Sequence, residues 1–272
     1  MADKNIILAG CSYTINTWFG GTPHNPSDPF TFGGFLSQNH SDFKIKHIAV
    51  SGNSNDASIR QIYDYVKSNT IKNSTIIFQV THLHRIGGYF NFLDEWINLQ
   101  PMILNSHSSK NIEEESFTLD NINTVELSKN QIYGTQVLDQ SQPSYSPINV
   151  DDEFWKNGDS YIKERIMDYY KIWLEYKYDD FLEFKELLFK IDLLKGYLSQ
   201  NNNKLLLMYW PDIYPSYLPY LKEYEFFNID GEYSMIRWSK KNNVIGDDTH
   251  LTLNGHKMLY LKLYDYLNLN KL

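Results

Sequence analysis

Ser74-Thr75-Ile76-Ile77-Phe78-Gln79-Val80 is the stretch on which the fold turns. It is short, rich in β-branched residues and nearly unbroken in its apolar character. That is the pattern of a strand buried on both faces of a parallel sheet. Upstream, Ser54-Asn55-Asp56 can cap a helix, and Ala57, Ile59, Ile62, Tyr63 and Val66 then keep helical spacing. Before that helix, Lys44 to Val50 alternates, turns apolar and stops at Ser51-Gly52, which reads as a strand. Lys4 to Ala9 is another, ended by Gly10. Downstream, Lys204 to Tyr209 is a strand stopped by Trp210-Pro211, and Glu225 to Ile229 is read as a short fifth one. Strands alternating with helices place the chain in the α/β class, with a parallel sheet and right-handed crossovers.

The remaining segments fit around this frame. Trp18 to Gly34 is aromatic and rich in Gly and Pro, a loop with a short helix following around Gly34 to Gln38. Residues 99–158 are polar, with Pro101, Pro143 and Pro147, and read as an insertion, in part a small hairpin, within a single domain spanning 1–272. Ser160 to Gln200 is helical, either one kinked helix or two, with a break at Tyr178-Asp179-Asp180. Its first apolar stripe is Ile162, Ile166, Tyr169/Tyr170, Trp173 and Tyr176. A last helix starts near Thr252.

Composition narrows the function. With 42% hydrophobic and 21% charged residues, the 272-residue chain is of ordinary globular make-up and can bury a sizeable core. The net charge of −8, with no basic cluster, argues against nucleic acid or an anionic membrane as partner. One cysteine, Cys11, rules out an internal disulfide and a cysteine-based zinc site. No signal-peptide architecture and no bilayer-length apolar run stand out, so a cytoplasmic protein is expected. No Gly-x-Gly-x-x-Gly or Gly-Lys-Ser/Thr cradle for a nucleotide occurs, and no cofactor is expected.

Chemistry-bearing residues collect where strands end. Ser12 follows the first strand and Gly52 the second, and Asp247 and His250 share the turn before the last helix. A serine hydroxyl is a poor nucleophile unless a base takes its proton. Imidazole suits that task, and a carboxylate on its second nitrogen fixes tautomer and orientation. The plainer readings are a turn cap for Ser12 and backbone freedom for Gly52. His256 reads as packing and Cys11 as a small buried residue.

At these positions the sequence resembles the SGNH hydrolases, the GDSL-like esterases and lipases. Gly10-Cys11-Ser12-Tyr13-Thr14 is similar to the family's first block, with Cys11 in place of the acid. Val50-Ser51-Gly52-Asn53-Ser54 is similar to its second, and Asp247-Asp248-Thr249-His250 through Gly255-His256 to its fifth, with Leu251 for the usual proline. The third block, Gly-x-Asn-Asp, is replaced by Val80-Thr81-His82-Leu83-His84-Arg85. Ser54, Asn55, Ile59 and Arg60 match a divergent branch met in bacteriophage and polysaccharide-associated genes. The resemblance implies a flavodoxin-like three-layer α/β/α sandwich, with about five strands in the order 2-1-3-4-5 and the insertion after strand three. It implies Ser12 as nucleophile, His250 as base, Asp247 as its orienting acid, and the N–H groups of Ser12 and Gly52 as oxyanion donors. Asn55 and Thr81, with Asn53 behind them, are candidates for the third donor, and Arg85 for a substrate contact.

The expected reaction is hydrolysis of an O-acyl ester, acetyl foremost, on a carbohydrate or small molecule. Two rivals stand. One is a non-catalytic binding or structural protein keeping this fold. The other is a metal hydrolase using His82 and His84 with Asp247 and His250.

Overall fold

The computed structural model describes residues 4–11, 14, 31–40, 42–49, 53–83, 85–90, 95–102, 124–129, 165, 168–169, 172–173, 176–177, 179–246 and 250–269. Four parallel strands make the central sheet: β1 (Lys4–Ala9), β2 (Phe43–His47), β3 (Ser74–Val80) and β7 (Lys204–Tyr209). Their order is β2-β1-β3-β7, the 2-1-3-4 order expected. Ile6 pairs with Ile45 on one side and Thr75 on the other, and Ile77 pairs with Leu206.

Strand alternation sends successive side chains to opposite faces, and here each face has its own helices. Ile6, Leu8, Ile77, Leu206 and Met208 pack with α1 (Phe32–Asn39) and α6 (Leu253–Leu269), through Phe32, Leu36, Leu259 and Leu263. Ile7, Ile76, Phe78, Leu207 and Tyr209 pack with α2 (Asn55–Ser68) and α3 (Asp180–Ser199), through Ile62, Val66, Phe184 and Ile191. The result is three layers, with β3 buried along its whole length. Side-chain caps start the helices: Thr31 Oγ1 accepts from Gly34 N–H at 2.9 Å, and Ser54 Oγ from Ala57 N–H at 3.2 Å.

The fifth strand position is held by an irregular segment. Phe227 N–H donates to Leu207 C=O at 2.7 Å, and Tyr209 bridges Ser234 in parallel sense, with no ladder between. Phe226 and Phe227 still face opposite cores. The positive φ of Glu225 (56°) and Asp230 (53°) bends the chain out of the extended state at both ends of the segment. A 3₁₀ turn at Pro215–Tyr217 and α4 (Leu218–Glu223) precede this segment, and α5 (Met235–Lys241) follows it.

Most of the expected insertion, 99–158, lies outside the described residues, and strands that the sequence reading did not include precede it. A separate antiparallel sheet, order β4-β5-β6, begins already at Ile86: β4 (Ile86–Phe90), β5 (Glu95–Met102), β6 (Thr124–Lys129). Gly87, Gly88 and Pro101 disguise these strands in the sequence. Before α3, the described positions 165, 168–169, 172–173 and 176 are helical, and the extended Asp179 (φ −138°, ψ 120°) separates them from α3, which is the two-helix alternative with its break at Asp179. The apolar stripe of the first is only partly inward: Trp173 is buried, but Tyr176 is 74% exposed. Among the described residues, no helix is long and apolar enough to cross a membrane.

α1 lies hard against the sheet at Gly33. A Cβ there would sit 2.4 Å from Leu8 Cδ1 and 2.7 Å from His47 Cε1. Gly33→Ala is therefore expected to cost about 1–3 kcal/mol by overpacking, read from urea unfolding. A change below about 0.5 kcal/mol would contradict the close approach.

Two histidines are built into the core as neutral rings. Burial, with Lys46 second, lowers the pKa of His47 to about 4; burial, with His250 second, lowers that of His256 to about 3. The unfolded chain takes up these protons near pH 6.5 while the folded chain does not. Stability is thus complete above pH 6.5 and is lost as pH falls toward 4. About 2 kcal/mol per imidazole is expected to be gone at pH 5, measured as a lower urea midpoint than at pH 7.

Candidate active site at the carboxyl edge

A parallel sheet brings the exits of all its strands to one edge, where ligands of open α/β sheets bind. At the exit of β1, Gly10 has φ +141°, and a Cβ on it would lie 2.9 Å from Gln79 C=O and 2.7 Å from Thr14 Oγ1. Only glycine lets the chain turn this closely over the end of β3. Cys11, fully buried, directs its Sγ–H to Thr81 Oγ1 at 3.3 Å. Thr14 N–H reaches Cys11 C=O at 3.0 Å, and the Thr14 hydroxyl bonds Gln79 Oε1. The first loop is so anchored to β3 on either side of Ser12. Ser12 itself lies outside the described residues, as do Gly52, His84 and Asp247.

The second loop is tied to the same strand. Asn55, the first residue of α2, accepts from Thr81 N–H at 2.8 Å and donates to Thr81 C=O at 3.1 Å. Thr81 is 1% and Asn55 6% exposed, so both main-chain groups of the first residue past β3 are satisfied without water. This bears on the oxyanion candidates. The Thr81 N–H is occupied by Asn55, whereas Asn55 has a second amide hydrogen beyond its bond to Thr81. Asn53 gives both of its amide hydrogens away, to Ser58 Oγ at 3.0 Å and Gln61 Oε1 at 2.7 Å. The third loop turns back at once, with Arg85 N–H on His82 C=O at 3.4 Å. Burial first, and the Arg85 charge second, lower the pKa of His82 to about 3, so this imidazole is neutral. Arg85 Nε and Nη1 are shielded from solvent.

His250 sits in a tight antiparallel-bridged turn. Ile245 bridges Leu251, Gly246 N–H donates to His250 C=O at 2.8 Å, and Thr252 N–H to Val244 C=O at 2.9 Å. Thr252 then starts α6, its Oγ1 accepting from Gly255 N–H at 3.2 Å. A Cβ on Gly255 would stand 2.6 Å from Val244 C=O, which is why the helix needs glycine where it passes the turn. His256, beneath, accepts from Phe32 N–H through Nδ1 at 3.3 Å and stacks on Phe32 at 15°.

Sequence reasoning passed over Gln79 and Thr14. The signal was there: Gln79 is the polar residue inside the apolar run of β3. Among the described residues, no group of three or more His, Cys, Asp or Glu is placed to hold a metal. A cavity of about 680 Å³ lies at the opposite, amino edge, lined by Lys44, Lys46, Lys72 and Tyr65. Lysines there suit the negative ends of α1 and α2.

No family model and no curated protein sequence matches the chain. In fold it is similar to the psychrotrophic esterase EstA from Pseudoalteromonas, in a structure inhibited by monoethylphosphonate. That likeness has a TM-score of 0.47 at 9% identity, over 98% of this chain and 97% of that one. TesA is similar with a TM-score of 0.45 at 6% identity, over 97% and 98%.

Removing the Asn55 side chain leaves a buried N–H and a buried C=O of Thr81 unpaired, at about 1–3 kcal/mol each. Asn55→Ala is expected to lose about 2–4 kcal/mol in urea unfolding. A loss under about 0.5 kcal/mol would mean that the clamp does not hold the edge together.

Proposed function

We propose that the chain is a serine hydrolase of the SGNH type that cleaves a short O-acyl ester, acetyl foremost, on a carbohydrate. The observation that carries the reading is the motif turn. His250 stands at the carboxyl edge, and Thr252 and Gly255 of the same motif have structural reasons to be what they are. The anchored β1 loop supports it, since a nucleophile must be held in place by its surroundings.

On this reading Ser12 Oγ attacks the ester carbonyl while His250 takes its proton, and Asp247 holds the imidazole. The carbonyl π electrons move to oxygen, giving a tetrahedral oxyanion. The C–O bond to the alcohol then breaks, and the alcohol leaves with the proton from His250. Water, deprotonated by His250, attacks the acyl-serine; Ser12 is regenerated and the carboxylic acid departs. In this mechanism the N–H groups of Ser12 and Gly52 are the oxyanion donors that the resemblance implies. The second amide hydrogen of Asn55 supplies the donor that the altered third block no longer brings. Each such donor is worth about 10²–10³ in rate.

The altered third block also favours a second reading, a protein that keeps the fold for binding alone. Turnover of 4-nitrophenyl acetate separates the two. Activity in the wild-type chain that falls by about 10³-fold or more in both Ser12→Ala and His250→Ala is expected. A chain without turnover, or activity indifferent to either change, refutes the esterase.

A further inference from the structure

Gln79 is a polar side chain in an apolar strand. By alternation it shares its face of β3 with Ile77, and its cross-strand neighbour on β7 is Met208. It is 2% exposed. Its amide is half used: Oε1 accepts the Thr14 hydroxyl, while Nε2, buried, has no hydrogen-bond partner. Two amide hydrogens stripped of water without an acceptor lower stability. An apolar side chain of the same shape would fill this place without that loss. Stability therefore does not account for Gln79, and a buried polar group left unsatisfied calls for another reason.

What the Gln79 oxygen holds supplies that reason. Thr14, 1% exposed, spends its N–H on Cys11 C=O at 3.0 Å and its hydroxyl on Gln79. The first bond closes a four-residue turn, 11–14, in which Ser12 stands second by sequence. The second bond pins the far end of that turn to β3, and Cys11 on Thr81 pins the near end. A Cβ on Gly10 would lie 3.0 Å from Gln79 Cβ, so the chain enters the turn against the same side chain. A nucleophile misplaced by about 1 Å loses about 10²-fold in rate. A tie at this place is therefore read in turnover.

We propose that Gln79 is a positioning residue, which sets the turn carrying Ser12 through the Thr14 hydroxyl and is kept at the expense of stability. The proposal rests on the esterase reading. Two measurements on the full chain, hydrolysis of 4-nitrophenyl acetate and urea unfolding, test it apart from that reading. In the double variant Thr14→Val with Gln79→Met, both partners become apolar at nearly unchanged shape. Its urea midpoint is expected to equal or exceed that of the wild type, while kcat/KM falls about tenfold or more. Thr14→Ser keeps the hydroxyl and is expected to stay within about threefold of the wild-type kcat/KM. A double variant within about twofold of the wild-type kcat/KM overturns the positioning role and leaves the esterase standing. A double variant that loses activity and urea midpoint together marks a packing role and overturns it as well. So does a Thr14→Ser variant as impaired as the double one. A wild type without turnover refutes the esterase, and the positioning role falls with it.

Discussion

Thr81 is where the carboxyl edge is held together. Asn55 takes its main-chain N–H and C=O, and Cys11 bonds its hydroxyl. Through this one residue the exits of β1 and β3 and the start of α2 become a single rigid body. Thr14 and Gln79 add a second tie between the same two elements. Because these groups are buried, each lost bond costs its full desolvation. That cost holds Cys11, Asn55 and Thr81 to one another at this edge.

Much of the frame was legible in the sequence because periodicity and burial agree there. β3 is apolar without alternation because both its faces are covered, and the Ser54 cap of α2 follows from hydroxyl chemistry. Legibility failed where tertiary contacts override local pattern. Glu225 to Ile229 reads as a strand, but Glu225 and Asp230 turn it out of the ladder. The small antiparallel sheet contains glycines and a proline that a strand reading rejects. The stripe before α3 counts tyrosines as inward, yet Tyr176 keeps its ring in water, as an amphipathic side chain can.

The candidate site divides in the same way. The positions of Thr81 and Arg85 past β3, of Asn55 at the start of α2 and of His250 in the turn before α6 follow from reading strands and motifs together. What each side chain spends its hydrogen bonds on does not. Asn53 and Asn55 look alike in sequence. One gives away both amide hydrogens within its own helix start, and the other keeps one. Likewise Thr14 and Gln79 are 65 residues apart, and only the folded chain shows that they pair.

The central claim is that this edge activates Ser12 as a nucleophile. Incubation of the wild-type chain with an alkyl fluorophosphonate, followed by peptide mass spectrometry, addresses it directly. The account predicts one phosphonyl adduct, on the peptide carrying Ser12 and on that residue. A chain that stays unlabelled, or an adduct on another serine or a tyrosine, would contradict it.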